Sequence, residues 1–563
     1  MSVSKRSLIL WVIFCSSITL FYAQSGDVIV TVVDPLEKIF KESTQFITLQ
    51  DSATPVARGE HASFQIAIRS TAKLANLTVK ASEFRKGSEV FKTTTVGLVS
   101  YVHVGRYPPR PGIDKIHSLT NWYPDPILPL TSMDVPAHET QAVWLTVHIP
   151  TDATPGLYQS SVALSGQLEG RKWQKSIPLY VQIYPVTIRQ TRLWVTNWYN
   201  NSPELIHKVT GELDKPYTPA YWQYIKILAQ KMAEYRQNVA IISPLYLTQY
   251  RRESAGVWNF DFTHFDRTVE IFKQAGVIGR IEGGHIGGRQ GGWLSQFVVT
   301  VPVEQGDSVV FTSMSINSDT ARNFYRQFMP ALTVHLKAKG WDKIYMQHLM
   351  DEPIPENVQS YIEIASFIKQ FAPDLKIVEA CHSRDVANTV QIWVPQLDFL
   401  HQDYKFYQER AEAGDEIWFY TCLNPKGEYA NRFIEQPLLK TRLLHWINFR
   451  YNIPGYLHWG FNFWRDGDPY VETTSIQTES GTILPGGDAW IVYPGKNTLH
   501  SSIRLEAMRD GIVDYELLKM LEEKNSEEAK ELARQVIYRF DYYDMHIGDF
   551  RAKRKKILEL LSN

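Results

Sequence analysis

Cysteine is scarce in this sequence. Of three in 563 residues, Cys15 sits in an N-terminal apolar run, which leaves only Cys381 and Cys422. Two cysteines make no disulfide framework, and their separation matches no zinc-ligand spacing. Surplus charge is missing as well: Lys and Arg number 59, Asp and Glu 60, a net of -1. No global field draws such a chain to nucleic acid or an anionic membrane. Beyond the first residues no apolar stretch is long enough to span a bilayer. Neither Gly-x-Ser-x-Gly nor His-Glu-x-x-His occurs, so neither a serine esterase nor a zinc peptidase is signalled. The stretch EGGHIGGRQGGW (282–293) lacks the Gly-Lys-Ser/Thr ending of a phosphate loop and strict dinucleotide spacing. It reads as a plain loop, from which His285 or Arg289 could reach a substrate. No metal or other cofactor and no obligate protein partner is implied.

What is present begins with a leader. In residues 1–25 Lys5 and Arg6 precede an apolar run from Leu8 to Tyr22 and then Ala-Gln-Ser. This is the order of a signal peptide, cleaved after Ser25 or Ala23, and it predicts an exported protein: periplasmic, cell-surface or secreted. The remaining length needs two or three domains. Aromatic residues make up 13 % of the chain, with 16 Trp and 29 Tyr. Flat rings with a polar handle suit sugar faces as well as cores.

From 26 to 190 short alternating runs such as SFQIAIRS (63–70) and AVWLTVHIP (142–150), broken by Pro and Gly, predict an N-terminal antiparallel β-sandwich. From 191 to 525 apolar strands alternate with helical segments. Eight candidates fall at 193–200, 238–245, 277–286, 344–353, 376–383, 399–404, 416–424 and 455–464. They predict a (β/α)8 TIM barrel, with a doubly wound sheet as the alternative. C-terminal helices follow, with residues 526–563 as a helical extension in which RAKRKK (551–556) is a solvated face. In a barrel, chemistry collects at the C-terminal strand ends. Those ends hold Glu282, His285, Asp351, Glu352, His382, Asp403, Tyr420 and Trp459, whereas Glu416 opens the seventh strand on the opposite, stability face.

The adjacent pair in YMQHLMDEPIPEN (345–357) stands out. Side chains next to each other in a strand point apart, so Asp351 and Glu352 share a site only where the strand ends, and Pro353 helps end it. The plainer reading has them capping the next helix. Ordinary retaining glycosidases set two carboxylates about 5 Å apart across the bond, usually from different strands, and the seventh strand end offers Tyr420, Thr421 and Asn424 rather than Glu. An adjacent Asp-Glu suits substrate-assisted cleavage, in which a 2-acetamido oxygen attacks C1. Asp351 would then stay ionised, and its charge and burial would raise the pKa of Glu352, the proton donor. Glu282, Glu379 or Asp403 could instead be the second carboxylate of a two-carboxylate glycosidase.

The DEP of the fourth strand, with WYPDPILPL (122–130), GGDAWIVYPG (486–495) and SSIRLEAMRDGIVDYELLKMLEE (501–523), resembles glycoside hydrolase family 123 across almost the whole mature chain. The resemblance implies a retaining exo-β-N-acetylgalactosaminidase that removes terminal GalNAc from glycolipids or glycans through an oxazolinium intermediate. Asp351 would stabilise the acetamido group and Glu352 would act as general acid/base. Position adds Tyr420 as donor to the acetamido carbonyl, Trp459 and Trp464 as sugar walls, and Asp488 and Trp490 as binders of hydroxyls and ring, though each aromatic suits core packing equally. Arg504, Arg509, Asp510 and Asp514 read as a buried ion-pair framework. The same residues would also suit a β-N-acetylglucosaminidase or a non-catalytic glycan-binding protein.

Overall fold

The computed structural model describes residues 28–49, 53–92, 95–106, 112–212, 215–254, 256–306, 308–464, 467–477 and 481–563. The expected signal peptide lies outside the described residues.

Two sheets form the N-terminal region. In one, Val28–Val33, His61–Ser70, Thr140–His148, Thr95–His103 and Trp122–Pro129 pair antiparallel in that spatial order. The other is built on a long hairpin, Gly156–Leu168 with Arg171–Thr187. Alternation decides what each strand buries: Tyr158, Val162 and Leu164 point inward while Leu157 and Gln159 face solvent. The inward residues join Phe64, Ile66, Val143 and Leu145 of the first sheet in one apolar cluster. The pairing is not wholly antiparallel as expected, because Thr54–Arg58 runs parallel to Arg171–Thr187. Those strands are far apart in the chain, so no tight turn dictates their direction.

The second part is α/β. One ladder of parallel strands runs Val239–Ile241, Arg280–Gly283, Tyr345–Gln347, Lys376–Ala380, Ile392–Val394 and Glu416–Ile417; another joins Trp194–Asn197, Gly455–His458 and Phe419–Thr421. Trp418 alone separates Glu416–Ile417 from Phe419–Thr421. At the other junction the Val195 N–H donates to Asn238 Oδ1 at 2.9 Å. The strands are short and mostly buried, as parallel strands covered by helices are. Seven of the expected strand segments contain a strand. The sixth does not: residues 399–404 span the helices Leu397–Gln402 and Tyr404–Glu412, and the strand lies earlier, at Ile392–Val394. Three apolar residues before Pro395 suffice for a buried strand, and the Phe399 and Leu400 taken for strand residues belong to a helix.

The glycine-rich stretch is not a plain loop either. Gly287–Arg289 is the edge strand of an inserted antiparallel sheet with Phe297–Gln305 and Ser308–Met314. Glu416 accepts a two-pronged bond from Arg280 at 2.8 and 2.9 Å, at the strand starts, away from the acidic pair.

The helix Ile503–Lys524, capped by the Ser502 hydroxyl accepting from Leu505 N–H, ties the parts together through buried charge. Arg504 forks onto Asp125 at 2.8 Å on both sides, and the Tyr493 hydroxyl donates to the same carboxylate at 2.5 Å. Asp514 takes Arg442 and Arg554, each at 2.7 Å, while Arg509 pairs with Glu506 at 2.6 Å and Asp510 at 2.8 Å. After it come the helix Ser526–Arg534, a short hairpin, and the helix Ile547–Ser562, where RAKRKK is not wholly the solvated face expected: Arg551 pairs with Asp34 at 2.7 Å and Arg554 is buried against Asp514 and Glu60.

Candidate active site

The strand Tyr345–Gln347 ends four residues before Asp351, so the acidic pair lies on a turn beyond it. Glu352 has φ +49°, a left-handed backbone that a residue with a Cβ adopts only at a cost of roughly 1–2 kcal/mol. Two bonds hold it there: its N–H donates to the Ala380 carbonyl at 3.1 Å, and its carbonyl accepts Arg289 Nη2 at 2.8 Å. Leaving the extended conformation frees the two carboxylates from pointing to opposite sides. The Glu352 carboxylate is gripped through one oxygen. Oε1 accepts from the Tyr420 hydroxyl and lies 3.1 Å from His382 Nε2, which is itself 2.6 Å from the Tyr420 oxygen. Among the described residues no hydrogen bond reaches Glu352 Oε2 or the Asp351 carboxyl.

That asymmetry divides the protons. Burial, then the charges of Glu352 and Glu379, push Asp351 up to about 7 against the pull of Arg289 and His348. Burial acts to raise Glu352 too, but the bonds from His382 and Tyr420 and the charge of Arg289 prevail and hold it below its ordinary value. The site thus reverses the expected order, with Asp351 as the better proton holder. The charge of Asp351 and burial favoured Glu352 as the protonated partner; the donors on Glu352 decide otherwise.

Beneath the pair lies a chain of buried charge. His348 Nε2 is 2.6 Å from Glu282 Oε1 and its Nδ1 3.0 Å from Glu379 Oε1. Burial disfavours the imidazolium, but the two carboxylates outweigh it and push His348 up to about 10. Glu282 also accepts from Thr196 at 2.7 Å and from the Trp198 indole at 2.8 Å; Glu379 accepts from the Leu349 and Met350 N–H groups and the Tyr361 hydroxyl, all at 3.1 Å. His285 stands over this network, its Nε2 3.8 Å from Glu379 Oε1, and burial with His348 and Arg289 nearby keeps its pKa well below normal. His285, His348 and Glu379 bring possible metal-ligand atoms within 4.8 Å of one another. Both His348 nitrogens are already committed to carboxylates, so the trio offers a cation only His285 and Glu379.

The other expected residues divide. The Trp459 indole, partly exposed, donates to Asp488 Oδ1 at 3.3 Å, and Asp488 and Glu352 both act on the Cys422 thiol, raising its pKa along with burial. Trp490 is buried, and its backbone carbonyl accepts Arg504 Nη2 at 3.0 Å. Trp464 is a core residue rather than a sugar wall: it is 3 % exposed and its indole N–H goes to the Val492 carbonyl at 2.8 Å. Asp403 is not at a strand end but between two helices, paired with Arg384 at 2.6 Å. Tyr420 faces Glu352 itself. His348 was not picked out by sequence reasoning, and His382 was placed at a strand end without a role; the available signal was a histidine at or just past the end of each of two neighbouring apolar strands.

A family model described as the catalytic domain of glycoside hydrolase 123 matches residues 213–521, and one for the N-terminal domain of the same family matches residues 40–166. The structure is similar to that of a family 123 glycoside hydrolase from Clostridium perfringens, studied for glycolipid glycan hydrolysis, with TM-score 0.72 at 16 % identity over 95 % of this chain and 97 % of that one. A GH2 β-galacturonidase from Eisenbergiella tayi has TM-score 0.33 at 9 % identity, over 80 % of this chain and 69 % of that one. An endo-β-1,4-mannanase from Thermotoga petrophila has TM-score 0.33 at 12 % identity, over 58 % and 77 %. Comparison with curated protein sequences gives no match. With its catalytic region matched over more than half of its length, the chain belongs to glycoside hydrolase family 123.

Proposed function

We propose that the chain is an exported, retaining exo-β-N-acetylgalactosaminidase that cleaves terminal β-linked GalNAc from glycolipids or glycans with the help of the substrate's own acetamido group. The parallel strands are read as a closed (β/α)8 barrel whose C-terminal rim carries the acidic pair. The observation that carries the proposal is the fate of the carboxylates considered for a catalytic role. Glu282 and Glu379 are held by His348 and by five further donor residues, and both oxygens of Asp403 accept from Arg384. Of this set only Asp351 and Glu352, adjacent in the chain, keep carboxylate oxygens unengaged among the described residues, and a pair so placed calls for a nucleophile from the substrate.

In the first step the acetamido oxygen bonds to C1 as the C1–O bond to the aglycone breaks. The electron pair leaves on the aglycone oxygen, which takes a proton from Glu352, while anionic Asp351 accepts the N–H of the forming oxazolinium. Water then attacks C1, Glu352 takes its proton, and the C1–O bond to the acetamido oxygen breaks to restore the amide with net retention. The proton order described above fits if the substrate resets it. An acetamido N–H on Asp351 favours its ionised form, and a Tyr420 hydroxyl turned to the acetamido carbonyl no longer stabilises Glu352 as an anion.

Aryl β-glycosides differing only at C2 and C4 test the reading. The 2-acetamido-galacto compound should be the best substrate, and Glu352→Gln and Asp351→Asn should each lower its kcat/KM by about 10²-fold or more. Equal cleavage of the 2-hydroxy galactoside, or covalent labelling of a carboxylate by a 2-fluoro sugar, would refute acetamido participation.

A further inference from the structure

On the rim of the site, Trp293 is 48 % exposed and its neighbour Leu294 62 %. Large apolar side chains on a loop tip cost solvation unless something covers them or uses them. Trp293 is also held in place. The Arg289 guanidinium lies 3.9 Å from the centre of the indole, its Nε donates to the Trp293 carbonyl at 2.8 Å, and its Nη2 donates to the Glu352 carbonyl at 2.8 Å. One arginine thereby fixes both the ring and the turn that carries the proposed acid. The indole is 6.2 Å, centre to centre, from the ring of His382, the residue bonded to Glu352. Arg289 covers one face of the indole, so its exposed area is the other face and the edge.

We infer that Trp293, braced by Arg289, is the stacking platform for the sugar on the leaving side of the scissile bond. The inference rests on the proposed function. A general acid donates to the aglycone oxygen, so whatever flanks the acid at the rim meets the aglycone. A flat ring braced on one face by a guanidinium that also holds its backbone carbonyl loses little freedom on binding, and the C–H face of a pyranose matches an indole face. A lipid chain would need a groove; a single braced ring suits one sugar unit. Substrates are therefore expected to carry a sugar directly beyond the hydrolysed residue.

The test compares a disaccharide, terminal β-GalNAc linked to galactose, with the thiazoline of GalNAc, an inhibitor confined to the hydrolysed residue's own site. Trp293→Ala should lower kcat/KM on the disaccharide by about tenfold or more, while inhibition by the thiazoline stays within about twofold. Trp293→Phe, which keeps a flat ring, should recover most of the loss. An unchanged disaccharide rate in Trp293→Ala overturns the platform alone. A parallel loss of thiazoline binding also overturns it, making Trp293 a support of the acid's loop. Wild-type protein that neither cleaves the disaccharide nor binds the thiazoline sinks the proposed function and the platform with it.

Discussion

Asp351 is maintained at a cost to the fold. Its pKa is raised to about 7 from an ordinary 3.8, by burial first and by Glu352 and Glu379 after it. A raised carboxyl binds its proton more tightly in the folded than in the unfolded chain, so stability falls as pH rises from the unfolded to the folded value. Below about 4 both states are protonated and the penalty vanishes. Asp351→Asn, which keeps the shape without the charge, should therefore raise the melting temperature at pH 7.5 and leave it unchanged near pH 4, while activity is lost. Equal melting curves at pH 7.5 would mean that the carboxyl is not under strain. That this pair sits together on a turn was legible in the sequence because a proline follows two acids at the end of an apolar run. The order of their protons was not, since it depends on Tyr420 and His382 reaching Glu352 from 68 and 30 residues away.

Periodicity located most elements of the α/β region, because a buried parallel strand needs only a short apolar run between turn residues. It failed where two readings of the same letters compete. Phe399 and Leu400 fit a strand as well as a helix in isolation, and only the preceding Ile392–Val394 strand and Pro395 settle the matter. It also failed at the inserted sheet, where glycines at 287 and 288 suggested an unstructured loop. Gly287 is there for close approach: a Cβ at this position would collide with the Val298 carbonyl oxygen and come within 2.7 Å of the Met350 methyl. Gly287→Ala should push the strand Gly287–Arg289 off its neighbour and carry Arg289 away from the Glu352 carbonyl. The expected result is a fall in kcat about tenfold or more, the scale of misplacing a catalytic group, with a modest loss of stability. Wild-type kcat in this variant would show that the inserted sheet does not position Glu352 for the proposed reaction.

At the scale of the whole chain, stretches remote in sequence meet at one buried carboxylate. Asp125 comes from WYPDPILPL, Tyr493 from GGDAWIVYPG and Arg504 from the long helix. Arg504 further bonds the carbonyls of Arg432, Gly487 and Trp490 at 2.8, 3.0 and 3.0 Å. The N-terminal sheet, the segment bearing Asp488 and the C-terminal helix therefore share a single charged knot, and none of them can separate without exposing or stranding an ion. Sequence reasoning recognised Arg504 as part of a buried framework but not its partner, 379 residues away. Replacing Arg504 by Met leaves Asp125 buried and unpaired, which costs about 3–5 kcal/mol, whereas removing both charges is far milder. Arg504→Met should lower the melting temperature of both regions together in calorimetry. Adding Asp125→Asn should restore much of the loss. A variant in which the N-terminal region melts separately while the catalytic region keeps its wild-type transition would show that the knot does not couple them.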